Sequence, residues 1–465
     1  MSRVIVNDPV YEVMDFGPDN TLKNVLKDIV DTNEFQRLRR ISQLGFTSYV
    51  YPGAVHTRFS HCLGAAYLSH LVLNKLSETE DCTELQNQDN KSVVLSSSLL
   101  HDIGHGPFSH LFEHAFSRNK NIKSKVKNDK ECFDHDFPGH ENWTVEIIKN
   151  NNTGINKALL KNRINIEMMI SAIDKKTESK LPTYLKQIIS SQIDVDRMDY
   201  LLRDSHFTGV TIGKFDLIYL INCLQIINHS DKEKPKTLGL CYKGVRPYEG
   251  YLMARHMMNK AVYYHRKVKV AEFMAETILS FVDESRQKGC YVPKYLIDVK
   301  NAQQKKDFGK DNFLNESLRS YLDFTEDDFW VCVKHLATSS NNEIENRFAR
   351  KLLSRNILPN YIISRGKEDV LFEALVDEGF ELGTDFVLLN TNSVIYKQNF
   401  DSEVVFVKDA NGQIKDISQY SMIINALGDK PESENILVLL KDEKSFVSSI
   451  ERILKISQLS MSLKG

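Results

Sequence analysis

Between Leu99 and His110 the chain reads Leu-Leu-His-Asp-Ile-Gly-His-Gly-Pro-Phe-Ser-His, which puts His101, Asp102, His105 and His110 close together behind an apolar run. Neutral imidazole and carboxylate together suit Zn, Fe, Mn or a similar divalent ion, and the glycines let backbone and ligands crowd around one point. Two core histidines beside a helix cap would be the plain alternative. His-Asp at a helix end followed at once by Gly-His-Gly-Pro has little structural motive.

Two other stretches offer partners of matching chemistry. Upstream lies Tyr51-Pro-Gly-Ala-Val-His56-Thr-Arg58-Phe-Ser-His61, and downstream Ile193-Asp-Val-Asp196-Arg197-Met-Asp-Tyr200-Leu-Leu-Arg203-Asp204. On a helix, Asp196, Tyr200 and Arg203 or Asp204 fall at i, i+4 and i+7 or i+8, so one face can hold a metal, stack on a sugar and bond its hydroxyl. Ile193, Val195 and Met198 imply partial burial of Asp196, where an unpaired charge is costly. His110 and Glu113 are three apart after Pro107, a residue suited to a first helical turn, and a His held by a Glu is a usual general acid/base. His140-Glu141 opens a further helix after Gly139. Asp194 and Asp199 are expected on other faces with structural roles, and His114, His135 and His206 are read as structural too.

The order His, His-Asp, Asp resembles the HD-domain metal-dependent phosphohydrolases. Within them, the flanking words are similar to the deoxynucleoside triphosphate triphosphohydrolases, the group of the bacterial dGTPases and of the animal enzyme with a SAM domain ahead of its HD domain. The likeness covers roughly residues 6 to 285 and includes Phe35-Gln36-Arg37-Leu38-Arg39-Arg40-Ile41-Ser42-Gln43-Leu44-Gly45. It implies His61, His101, Asp102 and Asp196 as ligands of a divalent metal (Mn, Fe, Zn or Mg), and catalytic chemistry at His105, His110 and His140 with Glu113. It places Arg58 and Arg197 at phosphate, Tyr200 at the sugar ring, Asp204 at the 3′-hydroxyl, and Gln43 and Leu44 near sugar and base. Arg197 stands where many members carry Lys, keeping charge but replacing a compact ammonium by a planar fork. Tyr263 would cover the deoxyribose, with Arg255 and Arg266 as basic phosphate contacts; at i, i+8 and i+11 the three could share one helical face.

The implied reaction is hydrolysis of a deoxynucleoside triphosphate, dGTP or dNTPs generally, to deoxynucleoside and inorganic triphosphate. Asp31, Gln36 and Arg39 match an effector site of the regulated animal enzyme, so a nucleotide effector is a further expected partner, as is a homo-oligomer, tetramer or hexamer. Two other readings stay open. One is a different HD phosphohydrolase acting on nucleoside monophosphates, cyclic nucleotides or guanosine tetraphosphate. The other is a non-catalytic nucleotide sensor or nucleic-acid scaffold with weak single-stranded contacts.

A chain of 465 residues with 42% hydrophobic content can bury a large core. A net charge of −2 argues against a general nucleic-acid binder, and seven scattered cysteines without a CxxC pair fit reduced thiols. Neither a leader pattern nor eighteen consecutive apolar residues appears, so a cytoplasmic, bacterial protein is expected, without a SAM-like domain. Helical spacing marks 31–43, 58–76, 91–100 and a long region from Glu249 to about Gln287; in Ser60 to Leu76, Leu63, Ala66, Tyr67 and Leu71 can share the inward side. The stretches 119–125, 149–154 and 228–236 read as loops. Later the pattern turns mixed: apolar runs at 386–389, 404–407 and 436–440, and a hairpin signal at Asp409-Ala-Asn-Gly412. The expected architecture is mainly α, with an HD helical core over 1–290, a linker over 291–312 and a smaller C-terminal α+β lobe over 313–465.

Overall fold

The computed structural model describes residues 4–18, 20–80, 82–108, 111, 139–174, 177–231, 233–287, 289, 291–294, 296–297, 311–340, 342–363, 365–394, 396, 404–427 and 431–456. The protein is mainly helical, with small sheets. His110, Glu113, His114, His135 and the 119–125 loop lie outside the described residues.

Arg58–Thr79 is the central helix, 22 residues and so about 33 Å long. It is buried nearly all round. Leu63 and Ala66 are buried as the spacing predicts, but Tyr67 and Leu71 are only half-buried, while Cys62, Ala65, Leu68, Val72 and Leu73 are buried as well. The reason is that Gly64, Ala65 and Ala66 let neighbours close in on several sides, among them the helices Gln88–Leu100 and Val195–Thr208. Asn87 caps the first of these, accepting from the Asp89 amide. Asp194 caps the second, and Gly209 ends it at a left-handed φ of 76°.

Two helical expectations need correction. The 31–43 stretch is a short helix, Asn33–Arg37, and a 3₁₀ turn, Leu38–Arg40; Ile41 then becomes extended and Ser42 bridges Thr57. The Gln43 amide bonds the His56 carbonyl (3.0 Å) and the Arg58 amide that of Ile41 (3.0 Å), so backbone pairing overrides helical spacing here. The long region from Glu249 is broken as well. Val245–Met258 runs into a π-helical turn, Asn259–Tyr263; Tyr264 leaves helical geometry, and His265 caps a new helix, Arg266–Ser280, by accepting from the Lys267 amide. Arg255, Tyr263 and Arg266 therefore do not share one continuous helical face.

Thr237–Cys241 is a strand that pairs with Leu224–Ile227 on one side and, in parallel, with Phe406–Lys408 on the other. Phe406–Lys408 turns back to Ile414–Asp416 through the expected hairpin. A three-stranded sheet has the order Asn360–Ile363, Pro431–Leu439, Phe386–Val394. Leu371, Leu375, Ile450 and Leu454 from two helices cover it in a small core of its own. The main core extends from Met14 through Leu352 to Leu440.

The helices Asp311–Asp323 and Glu326–Ser339 back the His-Asp loop. The Tyr321 hydroxyl donates to the Gly104 carbonyl (2.6 Å), and one Glu326 oxygen accepts from the Ser42 and Phe108 amides (2.9 and 3.1 Å). Among the described residues, no helix is long and apolar enough to cross a membrane.

Candidate active site

Three elements converge on one point. His61 sits in the first turn of the central helix, His101 at the end of Gln88–Leu100, and Asp196 in the first turn of Val195–Thr208. The two imidazole Nε2 atoms are 3.3 Å apart, and Asp196 Oδ1 lies 3.2 Å from that of His61 and 3.5 Å from that of His101. Donor atoms each about 2.1 Å from a shared ion would be separated by about this much. Asp102 stands beside them, Oδ1 3.4 Å from His101 Nε2 and Oδ2 3.7 Å from His61 Nε2, with Arg58 ion-paired to Oδ2.

The donor chemistry fits a divalent cation. His101 Nδ1 is bonded to the Ser98 carbonyl (2.9 Å) and His61 Nδ1 to Asp199 (2.8 Å), which turns both Nε2 lone pairs inward. Unprotonated, two inward lone pairs facing each other and a carboxylate repel, whereas a cation satisfies all three. Burial opposes protonation of His61, but Asp196 and Asp199 outweigh it and raise its pKa to about 10. A site that holds a proton this firmly without metal is strongly cation-seeking.

Asp199 is the residue that sequence reasoning misplaced. It does not lie away from the site but behind it, fully buried, with both oxygens also bonded by Arg203 (2.9 Å each). Its signal was present: it follows Asp196 by three residues and precedes Arg203 by four, adjacent positions on one helix flank. Asp194 is structural as expected, being the N-cap.

A cavity of about 550 Å³ opens beside this cluster at Asp196 and Asp102; His61 and His101 are not among its lining residues. Asp102, His105, His140 and Asp196 line it, and so do Gln43, Leu44, Arg58, Tyr200, Asp204 and Tyr263. The His105 and His140 rings stack 3.8 Å apart. Burial, then the nearby Arg58 and His140, keep the His105 pKa well below the usual histidine value. Leu111, between the undescribed His110 and Glu113, also lines the cavity. Asp204 is gripped from two sides: Oδ1 by His56 Nε2 and Oδ2 by the Tyr263 hydroxyl, both at 2.7 Å. His56 stands in the quoted Pro-Gly-Ala word, yet nothing in its spacing indicated that it would buttress Asp204.

Arg197, Arg255 and Arg266 are not among the lining residues. Arg197 is paired with Asp194, and Arg266 reaches the Asn360 carbonyl (3.3 Å), turned away by the break at 259–265. Arg255 acts electrostatically on the Tyr200 and Tyr251 phenols. In their place the cavity wall carries Asn259, Tyr264, Lys269, Glu272 and Glu276, none of which the sequence marked as chemical. Lys269 Nζ lies 2.8 Å from Glu272.

A second cavity of about 390 Å³ is lined by Asp31 and Arg39 together with Lys23, Lys27, Val4, Phe16 and Phe59. Gln36 is beside it, accepting from Arg39 Nε (2.8 Å). The Arg39 guanidinium lies 3.5 Å from the centre of the Phe59 ring.

Comparison with known proteins agrees with this geometry. The HD domain pattern matches residues 58–204, a segment that begins at Arg58 and ends at Asp204 and so contains all four expected metal ligands. The protein MJ1154 of Methanocaldococcus jannaschii, itself uncharacterized, is 30% identical over 372 residues, 76% of this chain and 69% of that one. The chain belongs to the HD-domain family. Within it, the Dictyostelium discoideum homolog of the deoxynucleoside triphosphate triphosphohydrolase SAMHD1 is 28% identical over 291 residues, 61% of this chain and 50% of that protein. The match thus spans half of that relative's length. A phosphohydrolase (BT4208) from Bacteroides thetaiotaomicron has the same fold, with a TM-score of 0.71, 24% identity, and coverage of 94% of this chain and 100% of that one. The HD-domain protein described here is a hydrolase of the HD phosphohydrolase type.

Proposed function

We propose that this HD-domain protein hydrolyses deoxynucleoside triphosphates to deoxynucleoside and inorganic triphosphate. The observation that carries the reading is a single cavity lined both by Asp196, the carboxylate of the His61/His101/Asp196 cluster, and by the Asp204–Tyr263 pair. A carboxylate locked to an aromatic hydroxyl offers a sugar 3′-hydroxyl an acceptor, and a tyrosine ring beside it fills the room a 2′-hydroxyl would need.

His61, His101, Asp196 and Asp102 would hold a divalent cation, which when bound supplies Lewis-acid stabilisation and a low-pKa water. Arg58, lining the cavity, offsets charge growing on the phosphate oxygens. Water oxygen bonds to the α-phosphorus as the bond from phosphorus to the 5′-oxygen breaks; the leaving oxygen takes a proton from His110, with Glu113 as its proposed partner, and the proton that the attacking water brings is given up from the new triphosphate to the imidazole so freed. His105, which burial keeps neutral, and His140 complete the polar wall. Arg197, Arg255 and Arg266 are proposed to engage the polyphosphate only if they swing from their present partners.

The second cavity, with Asp31, Gln36 and Arg39, is proposed as the place for an effector nucleotide. Its lining is largely apolar, and Lys23, Lys27 and Arg39 are the cations in it that a phosphate would engage. Assembly as a homo-oligomer, residence in the cytoplasm and the division into a 1–290 core and a 313–465 lobe belong to the same reading.

Product analysis by ion-exchange chromatography tests it. The protein is incubated with each dNTP and Mn²⁺ or Mg²⁺, with and without a second nucleotide, beside Asp102→Ala. Deoxynucleoside plus intact triphosphate, absent in the variant, is the expected result. Turnover of a different phosphoester instead would leave an HD hydrolase of other specificity, and turnover of nothing would favour a sensor.

A further inference from the structure

His61 is reached from behind by a part of the chain that lies outside the matched 58–204 segment. The strands Ile5–Asp8 and Glu12–Asp15 form an antiparallel hairpin with Asp8 opposite Glu12. Asp8 shapes its turn: Oδ1 accepts from the Val10 and Tyr11 amides at 2.9 and 3.1 Å. That leaves Oδ2 free to take Arg203 Nη1 at 2.7 Å, and the turn delivers the Tyr11 hydroxyl to Asp199 Oδ1 at 2.8 Å. We infer that Tyr11 and Asp8 are positioning residues of the metal centre, holding His61 in its ligating orientation through Asp199 and Arg203.

The bond count supports a device for orientation. Asp199 Oδ2 takes His61 Nδ1 and Arg203 Nε, and Oδ1 takes Arg203 Nη2 and Tyr11, so four donors fix one carboxylate. The side chains of Asp199 and Arg203 are wholly buried and that of Asp8 is 3% exposed, so no solvent replaces a lost partner. Two carboxylates flank one guanidinium, which leaves a net negative charge behind the imidazole. Such a charge fixes the Nδ1–H tautomer and strengthens Nε2 as a donor. The central helix is cut away to admit the group: a Cβ at Gly64 would lie 1.8 Å from Asp199 Oδ1 and 2.4 Å from Arg203 Nη2.

This inference rests on the metal-centre part of the proposed function and not on the nucleotide. The test is calorimetric titration of Mn²⁺ into the chelator-stripped full chain for the wild type, Tyr11→Phe, Asp8→Asn and Asp199→Asn, with metal-free melting temperatures alongside. Loss of a partner behind a ligating histidine weakens metal binding about 10- to 100-fold. That range is expected for Asp199→Asn, and a loss near its lower end, roughly tenfold, for Tyr11→Phe and Asp8→Asn. In Tyr11→Phe, which removes one hydroxyl, the metal-free melting temperature should stay within about 2 °C of wild type. Wild-type affinity in Tyr11→Phe and Asp8→Asn, with or without a lower melting temperature, overturns the inference and leaves the metal centre standing. A wild-type protein that takes up no Mn²⁺ overturns both. Failure to hydrolyse any dNTP touches neither, because no nucleotide enters the titration.

Discussion

At the metal end of the cavity, His61 and His101 each hand one ring nitrogen to a fixed partner and turn the other inward; at the opposite wall, Lys269, Glu272 and Glu276 stand on a helix that exists only because the preceding one breaks at Asn259–Tyr263. The first end is made of short words whose residues are functional by type. The second is made of Lys and Glu, residue types that usually face solvent, which become cavity lining through a change of helical phase. A single-turn π segment shifts every later residue around the axis, and such turns often mark functional sites. Local chemistry built one end and global geometry the other.

The comparison can be broken or sharpened by substitution. The largest effect is expected for Asp196→Ala, which removes the carboxylate facing both imidazoles: kcat should fall at least about a thousandfold, with metal content by mass spectrometry falling in parallel. A variant that keeps both would refute the metal end altogether. Gly64→Ala comes next, because its Cβ would collide with Asp199 and Arg203. Displacing that buried pair should cost about 3 kcal/mol or more, read as a lowered melting temperature and lost metal.

Tyr263→Ala tests the point where the two ends meet. Opening the space beside Asp204 should reduce discrimination between deoxy- and ribonucleoside triphosphates by about tenfold, measured as the ratio of kcat/KM values. His56→Gln should weaken binding in the same direction but less, by freeing Asp204 from one of its two partners.

The smallest effect belongs to the far wall. Burial opposes the charge on Lys269, but Glu272, Tyr264 and Glu276 outweigh it and raise its pKa above the usual lysine value. A raised cationic pKa contributes stability that is fully present below the unfolded value and is lost as pH climbs through the folded one. Melting temperature against pH should therefore decline on the alkaline side in the wild type and less steeply in Lys269→Met. Identical alkaline limbs would show that the Lys269–Glu272 pair is a solvated contact.

Much of the site was legible because its donors come as adjacent or near-adjacent residues. His101-Asp102 and Asp196 announce themselves by type, and Tyr200 and Asp204 follow from helical spacing on the same segment. Asp199 was legible in principle and was set on the wrong face. The three arginines at 197, 255 and 266 show the limit: a basic residue is an equally good partner for Asp194, for a backbone carbonyl or for a phosphate, and spacing along one helix does not choose among them. The apolar run at 404–407 was visible, but not that its strand pairs with Thr237–Cys241, since a parallel ladder links residues far apart in sequence.

The sequence by itself determined the helical class, the convergence of His, His-Asp and Asp on metal chemistry, and the hairpin at Asp409–Gly412, because these depend on residue type and on spacings within a turn or two. The tertiary structure decided that Tyr11 and Asp8 stand behind His61, that His56 holds Asp204, that Glu326 ties Ser42 to Phe108, and which cations face the cavity. Those contacts join residues tens to hundreds of positions apart. Short-range periodicity says which way a side chain leaves its own element, and only packing says what it meets.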